Sequence, residues 1–326
     1  MHDIGIDLGT TNILIYIKSK GIVLNEPNII AKDKKSKKTI ALGSKAEEML
    51  GKTPDNVEII RPMKDGVIAD FNTAETLLKS FIKKVSSRRL VSKPNILICS
   101  PSNLTAVEKN ALIEITERLG AKKVYIEEEP KVAAIGAGID IFKPTGSMIV
   151  DIGGGTTNIA VLSLGQVVTS NSIKIAGNTF TDDIITYIKD KYKVLIGEQT
   201  AEELKIEIGT VLKKKMKNKE VTGRGINSRL PETIVVTNKD IEQAIKNDFK
   251  KIIDLIKKVM EQTSPELVKD IREKGIILTG GTSLLDGMVE KLRKELKIPV
   301  FISDSPLTNV AEGTGYLLNN INLLDY

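Results

Sequence analysis

Ile4-Gly5-Ile6-Asp7-Leu8-Gly9-Thr10-Thr11-Asn12 is matched later by Ile149-Val150-Asp151-Ile152-Gly153-Gly154-Gly155-Thr156-Thr157-Asn158. Each copy is an apolar run, an aspartate, a glycine turn and Thr-Thr-Asn. Further apolar residues follow each, Ile13-Leu14-Ile15 and Ile159-Ala160-Val161. The pattern predicts strand, tight turn, strand: a β-hairpin with hydroxyls and backbone N–H groups at its tip. Two such hairpins, about half a chain apart, predict two related halves that face each other. Glycine lets the backbone approach a phosphate, and Thr and Asn add hydroxyl and amide contacts. Asp7 and Asp151 suit the waters of Mg²⁺, an ion that dehydrates reluctantly. Together the turns read as two N–H-rich cradles for the phosphates of one nucleotide.

A third stretch, Ile276-Ile277-Leu278-Thr279-Gly280-Gly281-Thr282-Ser283, is another strand ending in glycines. Alone it is an ordinary strand-to-helix turn. Beside the two hairpins, Gly280, Gly281 and Thr282 fit a floor for adenosine. Gly51-Lys52-Thr53 has the ending of a Walker A loop, but Ala46 stands at its opening glycine position and the stretch follows a helix, so it is set aside.

Composition narrows the chemistry. A chain of 326 residues is long enough for two domains with ordinary cores. Its 41% hydrophobic and 28% charged residues are those of a soluble globular protein. The formal net charge of +6 is compatible with an anionic membrane or nucleic acid and requires neither. Cys99 is the single cysteine and His2 the single histidine, which excludes an intrachain disulfide, a His/Cys zinc site and a Ser-His-Asp triad. Cys99 lies in the apolar run Asn95-Ile96-Leu97-Ile98-Cys99 and is expected to be a buried strand residue. No apolar run reaches membrane-span length and no signal peptide precedes the first strand, so an intracellular protein is expected. With no tryptophan and no basic-aromatic motif, nucleic acid is not an expected partner.

Hydrophobic periodicity predicts strands at 3–8, 13–18, 21–24, 95–100, 123–126, 166–175, 232–237, 275–278 and 299–302, besides the hairpin at 148–163. Helices are predicted at 44–50, 73–85, 105–119, 130–138, 178–191, 201–212, 238–261, 284–296 and 310–319. Ser44, with Glu47 three residues on, reads as a capping box. The mixture predicts α/β domains.

The two hairpins, the linking segment Glu129–Gly138, the turn Thr279–Ser283 and the final helix resemble the ATPase fold shared by actin, heat-shock chaperones and sugar kinases. Within it the chain is most similar to the MreB family, the bacterial actins. The run Arg61-Pro62-Met63-Lys64-Asp65-Gly66-Val67-Ile68-Ala69-Asp70 is specific to that family, and further matches are Glu128-Glu129-Pro130 through Gly138, Gly146 through Asn158, and Leu195 through Glu202. The resemblance runs from residue 4 to about 318.

It implies an actin-like α/β fold of two related halves with ATP or ADP and Mg²⁺ in the cleft. Four subdomains follow: IA at 1–31, 71–145 and 308–326; IB at 32–70; IIA at 146–178 and 238–307; IIB at 179–237. Asp7 and Asp151 would hold the metal through water. Gly9, Thr10, Thr11 and Asn12, with Gly153, Gly154, Gly155, Thr156 and Thr157, would bind phosphate. Glu129 falls where the family carries the acid that orients or activates the attacking water, and Thr156 would help to hold that water. Read alone, Glu129 is one more acid in the run Glu127-Glu128-Glu129. Glu202 and Lys205 match the pair that contacts ribose; read alone they are a surface i,i+3 ion pair.

The chain departs from the family pattern at Asn158, where an acid is common, at Asn178, Thr179 and Thr181, which replace a more acidic run, and at Thr282, where a third glycine is usual.

By the same resemblance the protein would be an ATPase that assembles into filaments of paired protofilaments. It would govern bacterial cell shape from the cytoplasm, at the inner face of the cell membrane. The loop Ser86-Ser87-Arg88-Arg89-Leu90-Val91-Ser92 lies where the family's hydrophobic membrane loop would be, and its arginines suit an anionic surface. An N-terminal amphipathic helix is not expected. The helix Thr105–Leu119 lies where protofilaments would pair, with Leu112, Ile113 and Ile115 divided between that contact and the core. The alternatives are a non-polymerising chaperone-type or sugar-kinase-type ATPase of the same fold. The first would need a substrate-binding domain and the second a substrate pocket with a general base; neither is expected here.

Overall fold

The computed structural model describes residues 3–85, 93–102, 104–212 and 215–324. Two five-stranded sheets organise it. The first runs Lys123–Glu128, Asn95–Ser100, Ile4–Leu8, Asn12–Ile17, Gly21–Pro27. The second runs Val300–Ile302, Ile276–Thr279, Ser147–Ile152, Thr157–Ser163, Gln166–Ile173. The topology is the same in both. The central strand carries the aspartate, Asp7 or Asp151. On one side its hairpin partner pairs antiparallel; on the other a later strand pairs parallel. The expected pair of related halves is therefore present.

These strands read as continuous apolar runs because both faces of each sheet are covered. Ile149, Val150, Ile159, Ala160 and Val161 are fully buried. The covering helices bury one face each. Phe71–Val85 sinks Leu77, Leu78, Phe81 and Ile82 into the first half, and Asn238–Glu261 sinks Ile241, Ile245, Phe249, Ile252 and Ile256 into the second. A third cluster joins the halves, with Leu97 and Tyr125 from one sheet, Ile149 and Leu162 from the other, and Val132 and Leu317 from two helices between them. Those helices, Glu129–Gly136 and Asn309–Asn319, touch backbone to backbone. A Cβ on Gly136 would stand 1.8 Å from Asn309 O, and one on Gly313 2.0 Å from Val132 O. Any side chain there would separate the helices, so the glycines set how Glu129's helix is seated.

Several elements differ from expectation. The helix at Ser44–Glu47 is a single turn whose N-cap is Gly43, and the Ser44 hydroxyl donates to Glu26 Oε2 at 2.8 Å instead of capping. The helix expected at 284–296 divides into a 3₁₀ turn, Gly281–Leu284, and a helix, Met288–Leu296. The helix expected at 201–212 begins earlier and ends sooner, at Glu198–Ile208, before Gly209. Strands at Val57–Ile60 and Asn218–Gly225 and the helix Pro265–Lys274 were not expected. In Ala106–Arg118, capped by Thr105 and Glu108, Leu112 and Ile115 belong to the core and Val107 is the exposed apolar residue. Among the described residues no helix is long and apolar enough to cross a membrane. The expected membrane loop, 86–92, lies outside the described residues.

Candidate functional site

The two hairpins meet tip to tip. Leu8 pairs with Ile13 and Ile152 with Thr157, so each hairpin closes a loop of four residues, Gly9–Asn12 and Gly153–Thr156. This register shifts the match made from sequence. Thr156, rather than Asn158, occupies the place of Asn12: a Cβ on Gly9 would lie 2.9 Å from Asn12 O, and one on Gly153 3.4 Å from Thr156 O. Asn158 sits two residues further in, directly across from Asp151, where the first half has Leu14 across from Asp7.

The loops interlock. A Cβ on Gly154 would fall 1.8 Å from Thr11 Oγ1, and one on Gly155 2.4 Å from Thr10 Oγ1. Each loop is also held from behind by its carbonyls. Asn28, almost fully buried, donates from Nδ2 to Gly9 O at 2.8 Å and from its backbone N–H to Thr11 O at 2.7 Å. In the second loop, Gly177 N–H donates to Gly153 O at 3.1 Å and Asn178 N–H to Gly154 O at 2.8 Å, from the first turn of the helix Gly177–Tyr192. Thr282 Oγ1 adds a donor to Gly153 O at 2.7 Å. A trans peptide points its N–H opposite to its C=O. Anchoring these carbonyls therefore turns the next N–H groups away from the supports. The result is a set of backbone donors turned away from their supports near the start of a long helix, an arrangement that can take an anion.

Between the loops lies a cavity of about 930 Å³. It is lined by Asp7, Gly9 through Asn12, Glu129, Asp151, Gly153 through Thr156, Glu202, Lys205 and Gly280 through Thr282. Sixteen of the seventeen residues singled out from sequence thus share one space. Thr157 is not among its lining; it is buried, and its hydroxyl donates to Ile175 O at 2.7 Å. Glu202 and Lys205 are joined at 2.6 Å, and Lys205 is buried, donating also to Gly177 O at 2.8 Å and Thr181 Oγ1 at 2.9 Å. Thr181 Oγ1 donates to Glu202 Oε2 at 2.6 Å. Lys205 is thus built into the wall, whereas the Glu202 side chain is 44% exposed.

Glu129 opens the helix Glu129–Gly136, with Pro130 in its first turn, where the fixed φ of proline suits helix entry. Asn158 Nδ2 donates to Glu129 Oε2 at 3.1 Å. Burial pushes the Glu129 carboxyl up to about 7, against the pull of that hydrogen bond. Asp7 is pushed well up by burial and then by Glu129, and Asp151 by burial, Glu129 and Asp7. Three acids lining one cavity are short of positive charge, an arrangement that suits a cation. Among the described residues no three His, Cys, Asp or Glu side chains converge closely enough to ligate a metal directly. Asp7 and Asp151, at matching places on the two hairpins, are two hard oxygen donors, the kind that suits the waters of Mg²⁺. Cys99 also borders the cavity; burial, then Asp7 and Glu129, keep its thiol protonated.

Sequence reasoning passed over other parts of the site. Asn28 follows a strand and carries no motif. Gly66, in the Arg61–Asp70 run, donates its N–H to Thr10 Oγ1 at 2.9 Å and borders the cavity. Arg61 reaches Glu198 at 2.8 Å, and Gln199 Nε2 donates to Glu47 O at 2.9 Å. Both contacts join residues of the cavity lining across more than a hundred positions of chain. The run was marked as distinctive in sequence; only the folded chain shows what it touches.

Comparison with known proteins agrees with this architecture. The family model for "MreB/Mbl protein" matches residues 1–326. The cell shape-determining protein Mbl of Bacillus subtilis is 52% identical over 325 residues, covering 99% of this chain and 97% of Mbl. MreB5 of Spiroplasma citri, solved with AMPPNP and with ADP, superposes with a TM-score of 0.95 at 39% identity in both; the AMPPNP structure covers 98% of this chain and 97% of its own. The MamK double helical filament shares the fold at a TM-score of 0.84 and 20% identity, over 98% of each chain. With the actin-like fold, the paired glycine hairpins and the full-length match together, the chain belongs to the MreB/Mbl family of cell shape-determining bacterial actins.

Proposed function

We propose that this protein binds and hydrolyses ATP and polymerises into membrane-associated filaments that govern cell shape. The observation that carries the reading is the convergence of Asp7, Asp151 and Glu129 with both glycine loops on one cavity. MreB5, a relative of the same fold, has been solved with both AMPPNP and ADP, which supports ATP as the occupant.

In this reading the loops Gly9–Asn12 and Gly153–Thr156 hold the phosphates, Glu202 and Lys205 face the ribose, and Gly280 to Thr282 face adenosine. Asp7 and Asp151 would hold Mg²⁺ through its waters, and the bound ion would supply positive charge near the phosphates. Glu129, helped by Thr156, orients the attacking water and accepts its proton. A carboxyl held near neutrality suits that task. Phosphoryl transfer depends on positioning and charge stabilisation, and this floor provides both. ATP closes the cleft between 32–70 and 179–237, which favours a head-to-tail contact that does not close on itself and so extends into a filament. Loop 86–92 gives each subunit a weak hold on an anionic leaflet, and the filament multiplies it.

Sedimentation with anionic liposomes, with and without Mg-ATP, tests this when read with phosphate release and negative-stain microscopy. Nucleotide-sensitive pelleting with paired filaments on the liposomes is expected, and Glu129→Ala should abolish phosphate release. A monomer that stays in the supernatant throughout while hydrolysing ATP would overturn the filament reading.

A further inference from the structure

Asp151, Asn158 and Ser172 form a row across three neighbouring strands: Asp151 pairs with Asn158, and Asn158 with Ser172. Cross-strand partners present their side chains on one face. Ser172 Oγ donates to Asn158 Oδ1 at 2.7 Å. With that oxygen engaged, the amide's NH₂ faces the other way, where it donates to Glu129 Oε2 at 3.1 Å and lies 3.4 Å from Thr156 Oγ1. Asn158 is 1% exposed, so water does not compete for these bonds. The Asn158–Glu129 bond also spans the molecule, from the second sheet to the helix that follows the first.

An amide NH₂ can only donate, so Glu129 Oε2 is fixed as an acceptor and its rotation is restrained. A reversed amide would set Oδ1 against a carboxylate, and the Ser172 hydroxyl opposes that flip. An ionised acid at position 158 could not donate to Glu129, and would repel it whenever both are ionised. Resting on the ATPase reading above, we infer that Asn158 and Ser172 are positioning residues: the serine sets the amide, and the amide holds one oxygen of Glu129, leaving the other to meet the attacking water. The Asn at 158, a departure from the family's acid, thereby becomes a functional feature of this chain.

The test uses the full chain with Mg-ATP and measures kcat and KM for phosphate release, with the binding stoichiometry of a fluorescent ATP analogue to count folded sites. Asn158→Asp, nearly isosteric but unable to donate when ionised, should lower kcat about tenfold with KM within about twofold. Ser172→Ala should lower kcat about threefold, and Ser172→Thr, which keeps the hydroxyl, should restore it. A kcat per folded site that is unchanged in both Asn158→Asp and Ser172→Ala would overturn the proposal, as would a Ser172→Thr as slow as Ser172→Ala. Wild-type protein that binds nucleotide but releases no phosphate, or Glu129→Ala that releases it at the wild-type rate, would instead remove the ATPase reading and this inference with it.

Discussion

The two glycine loops have the same length and opposite fillings. Gly9–Asn12 carries Thr10 and Thr11 at its middle; Gly153–Thr156 carries Gly154 and Gly155 there, and the threonines of one occupy the space left by the glycines of the other. Their supports differ too, a buried asparagine side chain in the first half and a helix start with Thr282 in the second. Opposite the aspartates stand Leu14 and Asn158. A repeated backbone has thus been divided in labour. The first loop supplies side chains to the interface, and the second supplies room for them together with the polar row that reaches Glu129.

The sharpest break in that symmetry is at Glu129, which is bonded to the second half alone among the two hairpins. Glu129→Gln should slow phosphate release by about 1,000-fold, within the range for a lost general base, while ATP affinity holds. Single-turnover release against a nucleotide titration separates the two, and parallel losses would refute the assignment. Next comes the interlock. Gly154→Ala should weaken nucleotide binding about 100-fold, because its methyl collides with Thr11, and adding Thr11→Ala should recover most of the loss. A single variant that binds like wild type would mean that the loops do not meet in solution. The supports should rank in turn. Asn28→Ala removes the side-chain bond to Gly9 O and should weaken nucleotide binding about tenfold. Thr282→Val leaves the Gly177 N–H on Gly153 O and should cost about threefold. Equal losses would erase the distinction.

The smallest effect concerns the helix behind the second loop. Burial pushes the Asp240 carboxyl up, but hydrogen bonds from Lys191, from the Thr237 hydroxyl and N–H, and from Tyr192 outweigh it and hold the group at about 2, below its ordinary 3.8. A depressed folded pKa gives stability that is complete above the unfolded value and is lost as pH falls toward the folded one. Thermal midpoints should therefore decline between about pH 4 and about pH 2, and Asp240→Asn should flatten that part of the decline. An identical slope in the variant would place the acid sensitivity elsewhere.

The hairpins were legible because glycine, aspartate and apolar alternation coincide within ten or so residues, where local rules apply. Their true alignment was not. The Thr-Thr-Asn triplets match as text, but hydrogen-bond register sets the equivalence, and it displaces Asn158 by two positions. The strand Asn218–Gly225 escaped because Asn-Lys-Glu-Val-Thr-Gly-Arg-Gly is polar and closes on two glycines; pairing with Pro231–Thr237 makes it a strand. Ser264-Pro265 did announce the helix Pro265–Lys274, with proline in its first turn, and that signal was passed over. Glu129 was singled out by resemblance alone, since nothing local separates it from Glu127 and Glu128. Asn28 and Ser172 had no signal at all, because each matters through a partner far along the chain.

Cys99, the chain's single cysteine, stands at the edge of the cavity between the loops and is buried and held protonated. Only the thiolate reacts readily, so alkylation of Cys99 in the folded chain should be slow. That one sulfur is therefore a built-in reporter: the rate at which a thiol reagent consumes it should change when the cavity beside it is filled, with no label attached to the chain.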